Sequence, residues 1–133
     1  MYKKSYRGFI VWLIVFCIIM TSFAFFPIQN TDLLMRVLDN ACIWGILLLN
    51  YIIYKTGYIY WYNGITYEEA ASASPERRRS YARKLFIAFG RFALLFLALS
   101  IAGQLLRLSG WVNCIAATVG LIFVAVRTIK YKL

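Results

Sequence analysis

From Leu85 to Leu106 the chain is apolar apart from Arg91, Ser100 and Gln104. As a helix rising about 1.5 Å per residue, those 22 positions reach roughly 33 Å, enough to cross a hydrocarbon core of about 30 Å. Just ahead of the run stand Arg77, Arg78, Arg79, Arg83 and Lys84, a basic cluster that anchors a span at the headgroups and faces the cytoplasm under the positive-inside rule. Ser74 suits an N-cap, Pro75 the first helical position and Glu76 the positive end of the helix dipole, so the helix is expected to begin there.

Three further stretches read the same way. Residues 9–26 are apolar apart from Thr21 and Ser22 and follow Lys3, Lys4 and Arg7. A secretory signal with a small-x-small site at Ser22-Phe23-Ala24 is the competing reading, but Phe25-Phe26 carries the apolar run past that site, so a first span ended by Pro27 is expected. Pro27 to Asn40 reads as a polar connection holding a short interfacial helix capped by Thr31 or Asp32. A second span, 41–62, ends in Tyr51, Tyr54, Tyr58, Tyr60, Trp61 and Tyr62, residues that gather at the membrane interface. Asn63-Gly64 is a turn signal, and Thr66-Tyr67-Glu68-Glu69 fits a capping box opening a short helix to Ala73. Residues 85–106 form the third span, Arg107 to Gly110 a tight turn, and residues 111–126 the fourth.

The expected fold is therefore all-α: an integral membrane four-helix bundle in a single domain, with a cytoplasmic loop over 63–84 and both termini cytoplasmic. With 62% hydrophobic and 15% charged residues, the chain departs from soluble proteins, which carry about 45–50% apolar and about 25% charged residues. Twelve basic residues fall on the inner side of this topology, against Arg36 and Arg107 outside, with Arg91 left in the membrane. The net charge of +10 is distributed at span ends, which favours anionic lipid headgroups as partner over nucleic acid. Cys17, Cys42 and Cys114 have no metal spacing and read as small buried hydrophobes; a Cys42–Cys114 disulfide is the alternative.

Polar groups at membrane depth are the default functional candidates, because each must be paired or wetted. Here they are Asn50, Arg91, Ser100, Gln104, Asn113 and Thr118. Arg91 lies about 10 Å beyond Lys84 along the helix, and reads either as an interfacial anchor or as a counter-charge to an anion. No acid lies within the expected spans to pair with it. Helical spacing puts Asn113, Ala116, Ala117, Gly120, Val124 and Arg127 on one stripe of the fourth span, with Ala116 and Gly120 spaced for close helix approach. The third span has two small-residue faces, one with Gly90, Ala93, Leu97, Ser100 and Gln104, the other with Arg91, Ala98 and Ala102. Two such faces imply two neighbours, one of them from another subunit. With no histidine, no Ser or Cys beside a base, and no phosphate, metal or dinucleotide motif, neither an enzyme nor a cofactor is expected.

Tyr62-Asn63-Gly64, Glu68-Glu69, Ser74-Pro75-Glu76, Tyr81 and Lys84-Leu85 together resemble the cytoplasmic loop of a family of small, uncharacterised bacterial membrane proteins of about three spans. The resemblance covers roughly residues 41–133; the first span and the three consecutive arginines depart from it. It implies a bacterial plasma-membrane protein and no particular activity. The functional expectation is a non-enzymatic membrane protein acting through homo-oligomerisation or as an accessory subunit of a larger complex. The alternatives are a small transporter or channel with a polar path at a subunit interface, and a holin-like or immunity protein.

Overall fold

A computed structural model describes residues 2–27, 29–62 and 64–133, and every regular element among them is helical. Four helices are long and apolar enough to cross a membrane: α1 (Arg7–Ser22, continued by a 3₁₀ turn at Phe23–Phe25), α2 (Thr31–Thr56), and two that follow a short helix α3 (Tyr67–Ser72), namely α4 (Pro75–Leu105) and α5 (Gly110–Ile129). Asn63, half of the expected Asn63-Gly64 turn, lies outside the described residues; Gly64 has φ +102°, which suits a turn.

Several starts are where local chemistry puts them. Ser74 Oγ accepts from Arg77 N, with Pro75 leading α4. Thr66 and Glu69 cap α3 reciprocally, as the capping box requires. The largest departure is α2. An interfacial helix near 32–38 and a separate span over 41–62 were expected, whereas one continuous helix runs from Thr31 to Thr56, capped by Asn30 Oδ1 and not by Thr31 or Asp32. No glycine or proline interrupts it before Gly45, and Asn40 bonds back to the Arg36 carbonyl in register with the helix. It ends at Gly57, whose φ of +76° is the left-handed conformation that closes helices and whose N–H reaches Ile53 O. The aromatic residues from Tyr58 to Tyr62 therefore lie in a turn beyond the helix, with a 3₁₀ segment at Ile59–Trp61. α4 begins at Pro75, where the Ser74 cap places it, so Pro75 to Lys84 of the cytoplasmic stretch are already helical.

α2, α4 and α5 pack together around two apolar clusters. Ile43, Leu47, Ala93, Phe96 and Ala117 fill the middle. Ile53, Ile59, Tyr60, Ala70, Tyr81, Ala82 and Leu85 fill the end that carries α3, here called the hairpin end. α1 is attached differently: none of its residues is buried, and it lies along α2 through Trp12 Nε1, which donates to Gly45 O at 3.1 Å, and through Phe16, whose ring rests on Gly45. The bundle is thus three packed helices with a fourth laid on one side.

Both ends of the chain are tied to the hairpin end. Tyr2 donates to Gly57 O, Tyr67 donates to Tyr2 O, and Ser5 exchanges hydrogen bonds with Tyr60 and Trp61. Arg78 lies 3.9 Å over the Tyr2 ring. At the other terminus Arg77 Nη2 donates to Leu133 O at 2.8 Å.

Candidate functional site

Opposite the hairpin end, α2, α4 and α5 bring together a connected set of polar side chains. Arg36, Asp39 and Asn40 project from one side of α2, spaced three and four residues apart and in step with the buried Ile43, Leu47, Asn50 and Ile53 further along. Ser100, Gly103 and Gln104 repeat that spacing on α4, and Gly110, Asn113 and Cys114 on α5. The hydrogen bonds run across all three helices. Asn113 Nδ2 donates to Asp39 Oδ2 at 2.8 Å; Ser100 Oγ donates to Asn113 Oδ1 at 2.9 Å; Asn40 Nδ2 donates to Ser100 Oγ at 3.0 Å. Cys114 Sγ lies 3.6 Å from the other Asp39 oxygen. Asp32 Oδ1 accepts from Gly110 N at 2.7 Å, a carboxylate at the positive end of α5.

Arg36 is the most deeply placed charge, 4% exposed. Its Nη1 donates to Gln104 Oε1 at 2.6 Å and its Nη2 to the Leu108 carbonyl, both uncharged acceptors. Its Nε has no hydrogen-bond partner, and neither has Asn40 Oδ1 on the same helix. The guanidinium lies alongside Gly103, with Nε 3.5 Å from where a Cβ would stand, an ordinary van der Waals distance.

Of the sequence candidates, Ser100, Gln104 and Asn113 meet in this network. Asn50 does not join them. It is buried near the hairpin end, where Tyr62 donates its hydroxyl to Asn50 Oδ1. Thr118 is exposed and bonds back to the Cys114 carbonyl of its own helix. Arg91 is exposed on the outer side of α4, on the wall of an open groove of about 390 Å³ between α4 and α5 that Lys84 and Arg127 also line. The orientation residues Arg77, Arg79, Arg83 and Lys84 are exposed on the first turns of α4, while Arg78 is half-buried over Tyr2.

Two expectations about acids and basic residues need correcting. Arg36, counted as an outer loop residue, is buried between helices, and Asp32 and Asp39 lie within α2 itself and not in a connection. The sequence signal existed in the three- and four-residue spacing that links Arg36, Asp39 and Asn40 to Ile43 and Leu47, but a boundary set at Asn40 severed it. The packing stripes also change. Ala98, Ala102 and Ala116 face outward and are exposed, and Gly120 receives the ring of Phe92 from α4, where a Cβ would collide. Gly120 is therefore a socket for a side chain instead of half of a small-xxx-small pair with Ala116. The three cysteines are free thiols, with Cys17 exposed and Cys42 and Cys114 half-buried. Among the described residues no group of three metal-ligating side chains occurs.

Compared with protein-family profiles, curated proteins and solved structures, the chain has no match.

Proposed function

We propose that this chain is a non-enzymatic multi-pass protein of the cell membrane, with both termini cytoplasmic, that acts by lateral association with copies of itself or as an accessory subunit of a larger membrane complex. The observation that carries this reading is where the polar residues of the long helices are engaged. Asn50, Ser100, Gln104 and Asn113 are hydrogen-bonded to a neighbouring helix or to the hairpin-end turn, so they hold the chain's own elements together. Apart from the basic residues beside the α4–α5 groove and Thr118, the outward surface of the membrane-crossing parts of α4 and α5 is apolar or small, including Leu94, Ala98, Ala102 and Ala116, and suits contact with lipid or another membrane helix. The orientation is supported by charge: both tied-down chain ends and the Arg77-Arg78-Arg79 cluster share the hairpin end, and basic residues concentrate there.

Purification of tagged protein from its native membrane in mild detergent tests the association. A homo-oligomer or a co-purifying membrane protein is expected, and a monodisperse monomer without companions would overturn the reading. Thiol-labelling of cysteines introduced at Lys3 and Lys132 should require permeabilised cells at both positions.

A small transporter or channel is the second reading, favoured by the unpartnered Arg36 Nε and Asn40 Oδ1 amid the Asp39–Asn113–Ser100 chain of bonds. It requires Ser100→Ala to abolish flux into liposomes while leaving assembly intact. The association reading expects only a loss of stability.

A further inference from the structure

The groove between α4 and α5 combines two chemistries in one trough. At the end nearer the hairpin it is walled by Lys84 and Arg91 from α4 and Arg127 from α5, and no acidic residue among those described lines it. Further along, Phe92, Leu95 and Phe123 continue the same walls with purely apolar surface. Lys84, Arg91 and Leu95 succeed one another on one stripe of α4 at spacings of seven and four residues, so the cations give way to hydrocarbon over about 16 Å of helix rise. The volume, about 390 Å³, lies within the range of small-molecule sites.

We propose that this groove holds one anionic phospholipid, its phosphate among Lys84, Arg91 and Arg127 and one acyl chain along Leu95 and Phe123. Charge complementarity selects the headgroup. Three cations lining one groove at the edge of a membrane-crossing helix pair favour a phosphate carrying net negative charge over a zwitterionic headgroup. The apolar half selects a lipid over a free anion, which would leave that half of the trough exposed. Arg91 is thereby assigned a ligand in place of the partner acid that its own chain does not set beside it. The leaflet that supplies the lipid rests on the orientation proposed above; the chemistry of the groove does not.

The test is native mass spectrometry of detergent-purified protein after exchange into phosphatidylglycerol or phosphatidylcholine, scoring retained lipid. The wild type should keep one phosphatidylglycerol and little phosphatidylcholine. The paired variant Arg91→Gln with Arg127→Gln should weaken retention roughly thirtyfold, the effect expected of two basic residues facing an anionic surface. A second pair, Arg83→Gln with Lys130→Gln, removes the same charge from exposed positions outside the groove and should leave retention unchanged. Arg91→Gln alone gives the same direction if the double variant expresses poorly. Equal losses from both pairs, or no preference for phosphatidylglycerol, would overturn the assignment. So would a dimer that persists without lipid and dissociates in the groove variants, since a second copy would then occupy the trough. The lipid-retention readouts depend neither on association with other chains nor on which way the protein faces.

Discussion

Arg36 makes the clearest case for how single residues govern this molecule. Its guanidinium bridges Gln104 on α4 and the Leu108 carbonyl in the turn that follows, closing that end of the bundle. Arg36→Met keeps the stem but leaves both acceptors without their donor, and should lower stability by about 1–3 kcal/mol, measured by thermal unfolding in detergent. Ser100→Ala removes the hydroxyl that both accepts from Asn40 and donates to Asn113, and is expected to cost about 0.6–1.7 kcal/mol in the same assay, between the average and the largest values found for bonds between membrane helices. Gly120→Ala acts by volume. Its methyl group meets the Phe92 ring, and displacing that ring should cost about 1–3 kcal/mol, the usual penalty for overpacking.

At the scale of elements, four long apolar helices were legible because a membrane span is a strong composition signal, and the caps at Thr66 and Ser74 because two or three residues determine them. The course of α2 was not. Asp32, Arg36, Asp39 and Asn40 lower its apolar content enough to resemble a connection, and only the partners on α4 and α5, sixty or more positions away, make their full or partial burial tolerable. The polar network was half legible for the same reason. Ser100, Gln104 and Asn113 stand out in apolar runs, whereas Arg36 and Asp39 are camouflaged among other polar residues. The end of α2 offers a local test. Gly57→Ala meets no neighbouring atom, so its cost should come from the left-handed backbone alone, about 1–2 kcal/mol, and should appear as a lower unfolding temperature with the aromatic turn loosened.

Across the whole molecule, the hairpin end gathers the two chain ends, α3 and a set of tyrosines that are held neutral. Burial pushes Tyr2 up to about 12, against the smaller opposing pull of Arg78, and burial likewise raises Tyr60 and Tyr62. Because the folded state favours the protonated phenols, their contribution is fully present below the ordinary tyrosine value of about 10 and is lost as pH rises through the folded values. An alkaline titration should therefore leave the protein unchanged to about pH 10 and unlock the hairpin end as pH climbs toward 12. Tyrosinate absorbance and near-ultraviolet circular dichroism should move together. Ionisation of all the tyrosines near pH 10 with no change in dichroism would show that these contacts contribute nothing.

The polar network also has a consequence in time. Asp39 finds its amide partner at Asn113, 74 positions later. At synthesis rates of about 5–20 residues per second, the emerging chain spends roughly 4–15 s with that carboxylate unanswered. Arg36 waits almost as long for Gln104. During that interval α2 is a reluctant occupant of any bilayer, since its apolar stretch is the least apolar of the four and it turns both signs of charge toward its neighbours. Its residence becomes permanent when α4 and α5 arrive, so the last third of the polypeptide is what commits the first third to its place.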